Sequence, residues 1–214
     1  SFFDFEFSGS DGIIANILKG MKPAGNFAEK MIKADELFSG NNPNYINAPF
    51  YTNHDIPRSA GYYSGDHRVD LIKLAGAMNL LMTGNAFIYY GEELGMKGSG
   101  RDENKRAPMQ WAKDGSATGM CKGPKDMEEF EMMYGALEEQ AEDKNSIYNY
   151  YKDAIKLRHS FPVIARGKTK LYDGFENLDS DTVSAFTRNM ADDSYESVLV
   201  VINTSENNIS LKPG

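Results

Sequence analysis

The amino-acid sequence predicts an α/β fold with a parallel sheet or barrel, followed by a small all-β segment. Up to about residue 160, strand-like stretches alternate with stretches whose apolar residues recur at helical spacing. After Pro162 this alternation stops, and strand-like stretches follow one another without a helix between them. We therefore place a domain boundary near Gly167, which gives one domain over 1–166 and a second over 167–214.

The first half of the chain contains three predicted strands with helices between them. Short runs of aromatic and aliphatic residues, bounded by polar residues, predict strands over 1–7, 48–52 and 86–90. Apolar residues spaced three and four apart predict helices over 13–18, 27–37 and 70–82. Gly84 is the expected C-cap of the third helix. Tyr89 and Tyr90 are neighbours in a strand, so their side chains should point in opposite directions.

The second half begins with a polar, irregular stretch and ends in predicted strands. A short helix is expected around 127–137, and the apolar residues of 147–158 predict a longer one. Beyond the boundary, β-branched and aromatic residues predict strands over 171–172, 182–187, 198–203 and 209–211. Residues 191–197 have the composition of a hairpin loop.

Composition excludes several classes of protein. The chain has 214 residues and a formal net charge of −8, which argues against a general nucleic-acid binder with its basic surface. Cys121 is the only cysteine, so no intramolecular disulfide and no cysteine-based zinc site can form. No apolar run approaches the roughly 20 residues of a membrane span. Residues 1–7 lack the basic region and cleavage motif of a signal peptide.

Polar side chains follow two of the predicted parallel strands, at 53–58 and at 91–106. Functional groups of parallel α/β folds lie at this end of the strands, so both segments are candidate sites. Simpler interpretations remain open. His54 and Asp55 could be an ordinary hydrogen-bonded pair, and Arg106 could pair with an acidic neighbour on a solvated loop.

Other chemically notable residues have structural interpretations. Glu92 and Glu93 are expected to tie loops together, and Trp111 could either stack on a ligand or pack under its loop. No motif surrounds the remaining candidates, which we expect to be ordinary packing or surface residues: His67, His159 and Cys121.

Four segments occur in an order that resembles the α-amylase superfamily of glycoside hydrolases (family 13). They are NHDIPR, GNAFIYYGEELGM, RDENKRAPMQW and SIYNYYKDAIKLRHSFPVIARG. The resemblance covers essentially the whole chain. It implies the C-terminal portion of a (β/α)8 TIM barrel, with strands six to eight, followed by part of an all-β sandwich domain.

The resemblance also implies roles for individual residues. Asp55 matches the third catalytic carboxylate, which stabilises the transition state, and His54 matches a histidine that binds the sugar being cleaved. Asn53 and Arg58 complete the same substrate-binding motif. Asp102 and Arg106 match an acid and an arginine that contact the next sugar. No metal ligand carries over to this segment, because the usual calcium ligands of the family lie elsewhere, and no cofactor is implied.

The implied activity is that of a retaining α-glucan hydrolase, which cleaves α-1,4 bonds of starch or maltodextrins. Such enzymes need a nucleophile and a general acid, and no segment here resembles the motifs that carry them. We therefore expect this chain alone to be inactive and to be completed by the remaining barrel segment of the same enzyme. The alternatives are a non-catalytic sugar-binding or transporter-partner protein, or an α-glucosidase or transglycosylase. The expected location is extracellular or on the bacterial surface, with the cytoplasm as the alternative.

Overall fold

The computed structural model of the chain describes residues 3–114, 120–128, 132–190 and 196–214. Seven helices in these ranges, in chain order, are α1 (Ile13–Leu18), α2 (Asn26–Asn41), α3 (Arg68–Leu80), α4 (Asp102–Lys105), α5 (Leu137–Glu142), α6 (Ile147–Ser160) and α7 (Val163–Arg166). The strands are β1 (Phe3–Asp4), β2 (Ala48–Pro49), β3 (Lys168–Leu171), β4 (Val183–Asn189) and β5 (Ser197–Asn203). None of the helices in the described ranges has both the length and the apolar character that crossing a bilayer requires.

Three segments of the first domain lie side by side in parallel, as the sequence predicts. β1 pairs with β2, and a bridge between Phe50 and Phe87 adds the third segment. Each paired stretch is shorter than the strand predicted there. After β1, Ser8 donates its amide to the carbonyl of Phe5 in a turn, so the predicted strand over 1–7 ends early. The helices between the paired segments place all three carboxyl ends at one edge of the sheet.

Four of the five predicted helices are confirmed; the fifth is wrong, and so is the predicted C-cap of the third. α2 and α6 cover stretches with clear apolar periodicity, and α1 and α3 cover the two more uniformly apolar stretches. The helix expected around 127–137 is wrong, because its described part is turn or irregular chain and α5 begins only at Leu137; residues 129–131 lie outside the described ranges. Gly84 is not the C-cap of α3, whose cap is Leu81. Gly84 instead lies against the backbone of Asn47, where a Cβ would clash.

The second part of the chain forms an antiparallel sheet in the order β3–β4–β5. Residues 209–211 form no strand, and the chain returns to the sheet region only through a bridge between Phe175 and Pro213. Most of the predicted hairpin loop, 191–195, lies outside the described residues. Within the described part of 167–214 a second sheet facing this one is absent, so the sandwich stays a prediction.

The sheet and the helical layer share a single hydrophobic core. The ring of Phe27 in α2 lies 6.1 Å from that of Phe7 and 6.0 Å from that of Phe186 in β4. All three side chains are fully buried. This aromatic column joins the parallel segments to the antiparallel sheet.

Two buried arginines cap the carboxyl end of α3. Arg158 donates to the backbone carbonyls of Leu80, Met82 and Gly84, and Arg188 donates to that of Leu81 at 2.9 Å. A cation at this end of a helix is favoured by the helix dipole and satisfies carbonyls that lack partners within the helix. Burial lowers the pKa of both guanidinium groups, that of Arg188 to about 9. The arginines therefore fix α3 against α6 and β4.

Candidate functional site

The polar segment after β2 is organised by the side chain of Asn53. Its Oδ1 accepts hydrogen bonds from the backbone amides of Asp55 at 2.8 Å and Ile56 at 3.2 Å. An asparagine that bonds to the backbone two residues ahead makes a tight, well-defined turn. Asn53 therefore sets the path of the loop that carries His54 and Asp55, both of which are exposed.

Residues from both candidate segments meet in one charged cluster. Arg106 Nη2 lies 3.3 Å from Asp55 Oδ1, and Arg106 Nη1 donates to the backbone carbonyl of Asp102 at 2.9 Å. His54 Nε2 lies 3.4 Å from Asp55 Oδ2. Arg106 thus stands between two carboxylates that are 47 positions apart in the sequence. The simpler interpretation of Arg106 is correct in part: it does pair with Asp102, through the carbonyl and at 3.9 Å to Oδ2, but it also reaches Asp55.

Lys105 contacts the cluster from the protein interior. Its Nζ lies 2.7 Å from Asp102 Oδ1, although the lysine side chain is only 10% exposed and the aspartate side chain is 68% exposed. This hydrogen bond is the main reason that the pKa of Asp102 lies below its ordinary value. Asp102 is therefore an open carboxylate held in the ionised form by the ammonium of a lysine whose side chain is mostly buried.

Arg58 does not lie on the open surface of the site, where the sequence-based interpretation placed it with the substrate-binding residues. It is fully buried, and its Nε donates to the backbone carbonyl of Tyr90 at 2.7 Å. Its guanidinium carbon lies 4.7 Å from the ring centroids of both Tyr89 and Tyr90, a cation–π arrangement. The side chain therefore ties its loop to the end of the third parallel segment.

The expectation that Tyr89 and Tyr90 point in opposite directions is wrong. Their ring centroids are 4.8 Å apart, and their hydroxyls donate to the backbone carbonyls of Lys105 and Ala107. Strand pairing has already ended at Phe87, so the alternation of a strand no longer applies. Both tyrosines connect Arg58 to the segment that carries Arg106.

Glu92 has the structural role expected from the sequence. It is 3% exposed and accepts hydrogen bonds from Thr52 Oγ1 at 2.6 Å, from the Ser59 amide at 2.9 Å and from the Ser59 hydroxyl. Burial raises its pKa despite these donors. Glu93 accepts from the amide of Gly91, and burial raises its pKa as well. Glu92 ties together the two loops that form the charged cluster.

The remaining candidates lie apart from the cluster. Trp111 is 39% exposed, and its backbone carbonyl accepts a hydrogen bond from the amide of Glu138. His67 Nδ1 lies 3.7 Å from Asp70 at the start of α3. Cys121 is an exposed free thiol. Among the described residues, His, Cys, Asp and Glu side chains form no group of three that could hold a metal ion.

The cluster presents a fixed set of paired oxygens and nitrogens to solvent. Carboxylate and guanidinium groups hydrogen-bond in pairs to neighbouring hydroxyls, which suits a sugar. A fixed anion such as Asp55 also stabilises a positive charge that develops nearby. Sequence reasoning missed Lys105, which could have been found as the basic residue three positions after Asp102 on one helical turn.

The chain matches known proteins over most of its length. It matches the family model described as "Alpha amylase, catalytic domain" over residues 18–167. It is 34% identical over 165 residues to Alpha-amylase 3 of Dictyoglomus thermophilum, which covers 77% of this chain and 32% of that protein. It is 31% identical over 167 residues to a probable oligo-1,6-glucosidase 3 of Bacillus subtilis, which covers 58% of this chain and 29% of that protein.

The solved structure of Eubacterium rectale Amy13B resembles this one with a TM-score of 0.91 and 43% sequence identity. The similarity covers 98% of this chain and 40% of that chain. The matched part of this chain spans about a third of the length of these two curated relatives.

Proposed function

This chain belongs to the α-amylase catalytic-domain family of glycoside hydrolases, and we propose that it forms the C-terminal part of the barrel in a retaining α-glucan hydrolase. In this proposal residues 1–166 supply barrel strands six to eight, and residues 167–214 begin the C-terminal β domain. The substrate is starch or a maltodextrin, cleaved at α-1,4 bonds through a covalent glycosyl–enzyme intermediate.

The observation that carries the proposal is the contact between Asp55 and Arg106 across two loops, 3.3 Å long. It joins two of the four motifs on which the resemblance rests. Asp55 is the transition-state-stabilising carboxylate, and His54 beside it binds the sugar at the cleavage site. Asp102 and Arg106 bind the neighbouring sugar through their paired hydrogen-bonding atoms.

Asn53 and Arg58 support this site from within the protein. Asn53 binds two backbone amides of the loop, and buried Arg58 fixes the loop against two tyrosines. Their contribution to substrate binding is therefore to position His54 and Asp55. We assign them a positioning role in place of direct contact with the sugar.

The nucleophile and the general acid come from the remaining barrel segment of the same enzyme. One carboxylate cannot act as nucleophile and acid at the same step, so Asp55 does not replace them and the isolated chain is inactive. The short, open parallel pairing of β1, β2 and Phe87 supports this view, because parallel sheets are normally covered on both faces. The proposal assigns no calcium ligand to these residues.

A second candidate function is an α-glucosidase of the same family that cleaves α-1,6 bonds. The similarity to a probable oligo-1,6-glucosidase favours it. A non-catalytic sugar-binding protein is the third, and the set of Asp55, His54, Asp102 and Arg106 argues against it, since a protein without turnover has no need of a transition-state stabiliser. A polymeric substrate also favours action outside a bacterial cell or on its surface, because starch does not cross a membrane.

The test is hydrolysis by the complete enzyme and its Asp55→Asn variant. We expect release of reducing ends from soluble starch, little from isomaltose, and a loss of roughly a hundredfold or more in kcat for the variant. Asp153→Asn, an exposed change on α6, is the matched control. Turnover of Asp55→Asn within about tenfold of the wild type would refute the role of Asp55. Preference for isomaltose would favour the second candidate.

A further inference from the structure

We propose that Lys105 is a positioning residue of the sugar-binding site: the ammonium at the end of its mostly buried side chain holds Asp102 in one orientation beside Arg106. The inference rests on the proposed function, because it concerns the pair that binds the neighbouring sugar. It concerns a residue to which neither the motif resemblance nor the family match assigns a role.

The first observation is the contrast in burial within one ion pair. The Lys105 side chain is 10% exposed, whereas that of Asp102 is 68% exposed, and Nζ lies 2.7 Å from Oδ1. A lysine whose stem is packed against protein has lost its rotamer freedom during folding. Its ammonium is therefore a fixed point, and the exposed carboxylate takes its orientation from that point.

The second observation is that the backbone of Lys105 is hydrogen-bonded to Tyr89, a residue that also packs on Arg58 in the loop of Asp55. Its carbonyl accepts a hydrogen bond from the Tyr89 hydroxyl at 2.9 Å, and Tyr89 covers the guanidinium of Arg58. A Cβ at Gly98 would lie 3.1 Å from the Cα of Lys105, so the neighbouring backbone packs tightly against it. Lys105 is thus fixed to the same tyrosine that positions the loop of Asp55.

The third observation concerns the two oxygens of Asp102. Oδ1 is held by Lys105, while Oδ2 lies 3.9 Å from Arg106 Nη1. Arg106 Nη2 in turn lies 3.3 Å from Asp55 Oδ1. Positive and negative charges alternate along a row of four side chains: Lys105, Asp102, Arg106 and Asp55. The side chain of Lys105, at one end of the row, is the most buried of the four. Holding one oxygen leaves the second oxygen and the guanidinium together for adjacent sugar hydroxyls.

Loss of the Lys105 ammonium should affect sugar binding and leave the rate of turnover nearly unchanged. Loss of the ammonium frees Asp102 to rotate and removes the main cause of its lowered pKa, so sugar binding weakens most at acidic pH. Asp55, which acts at the cleavage site, keeps its contact with Arg106. The effect should therefore appear in KM and not in kcat.

The experiment compares Lys105→Met, Lys105→Arg and Asp102→Asn in the complete enzyme, with Lys144→Met as the exposed control. For a maltooligosaccharide, Lys105→Met should raise KM about fivefold at neutral pH, and more at acidic pH, with kcat within about twofold. Lys105→Arg should recover most of the wild-type KM. The double variant Lys105→Met/Asp102→Asn should have the KM of Asp102→Asn alone, since both changes remove the same interaction.

A titration of the Asp102 carboxyl by 13C NMR tests the contact without reference to activity. The signal is assigned by its absence in Asp102→Asn, and its pKa should rise in Lys105→Met but not in Lys105→Arg. An unchanged pKa in Lys105→Met, or a KM effect that adds fully to that of Asp102→Asn, would overturn the inference. If the wild type hydrolysed no α-glucan, the proposed function would fail, and the titration would still decide the role of Lys105.

Discussion

Replacement of Glu92 separates two opposing effects on a buried carboxylate. Thr52 and Ser59 donate three hydrogen bonds to it, which favours the ionised form, whereas burial disfavours that form. Its raised pKa shows that burial is the larger effect. A carboxyl whose pKa is higher in the folded state stabilises the fold most below its unfolded pKa. This contribution is lost as pH rises through the folded pKa.

The size of the effect follows from the hydrogen bonds. Glu92→Ala removes the acceptor of three donors, so at about 1 kcal/mol each the free energy of unfolding falls by about 3 kcal/mol. For a cooperative unit of about 150–250 residues, this loss corresponds to a fall in Tm of about 6–12 °C, and the fall is smaller if the larger complete protein unfolds as one unit. In Glu92→Gln the amide oxygen can accept the two bonds that Oε1 accepts from Thr52 and the Ser59 amide. Its stability at about pH 5 should therefore lie within about 1 kcal/mol of the wild type.

The assay is calorimetric unfolding of the complete protein and both variants between about pH 5 and pH 8, above the ordinary pKa of glutamate. Because only the wild type carries the buried charge, Tm of Glu92→Gln minus Tm of the wild type should increase with pH. A difference that stays constant or decreases with pH over this range would mean that the donors outweigh burial, because a lowered pKa leaves the folded and unfolded states equally ionised there. Such a result would refute the reasoning.

Two further predictions concern the buried arginines. Arg158→Met leaves three backbone carbonyls at the end of α3 without a donor, and we expect calorimetry to show a loss of about 3 kcal/mol; Lys156→Met, an exposed change on the same helix, should stay within about 0.5 kcal/mol. Arg58→Lys loses the planar stack on two tyrosine rings and the Nε hydrogen bond. It should cost about 2 kcal/mol, whereas exposed Arg101→Lys should not measurably change Tm; equal effects of the two would contradict the role of Arg58.

The order of helices and strands could be predicted from the sequence because burial of one face imposes a period on the apolar residues. α2 and α6 show this period clearly, whereas α3 is apolar on most of its circumference. The helix around 127–137 was wrong because apolar residues there belong to a loop, in which Gly135 has a φ of +87°. A left-handed residue interrupts a helix, and no feature of apolar spacing reveals it.

The candidate site was predictable as far as the exposed residues are concerned. His54, Asp55, Asp102 and Arg106 come together because strand ends meet at one edge of a sheet, which the sequence pattern implies. The buried residues that hold the site in place, such as Arg58, could not be predicted. The burial of Arg58 depends on two tyrosines that follow the end of strand pairing, and this end cannot be read from the alternation of residue types.

The aromatic column through Phe7, Phe27 and Phe186 limits how this protein can be recombined with its relatives. Exchanging residues 167–214 for the matching part of another enzyme also exchanges Phe186, one of the two rings that pack against Phe27. A smaller residue at position 186 would leave a cavity against α2, at a cost of about 3–5 kcal/mol for a change to alanine. The antiparallel sheet therefore cannot be exchanged on its own. A functional chimaera must take α2 and β4 from the same parent.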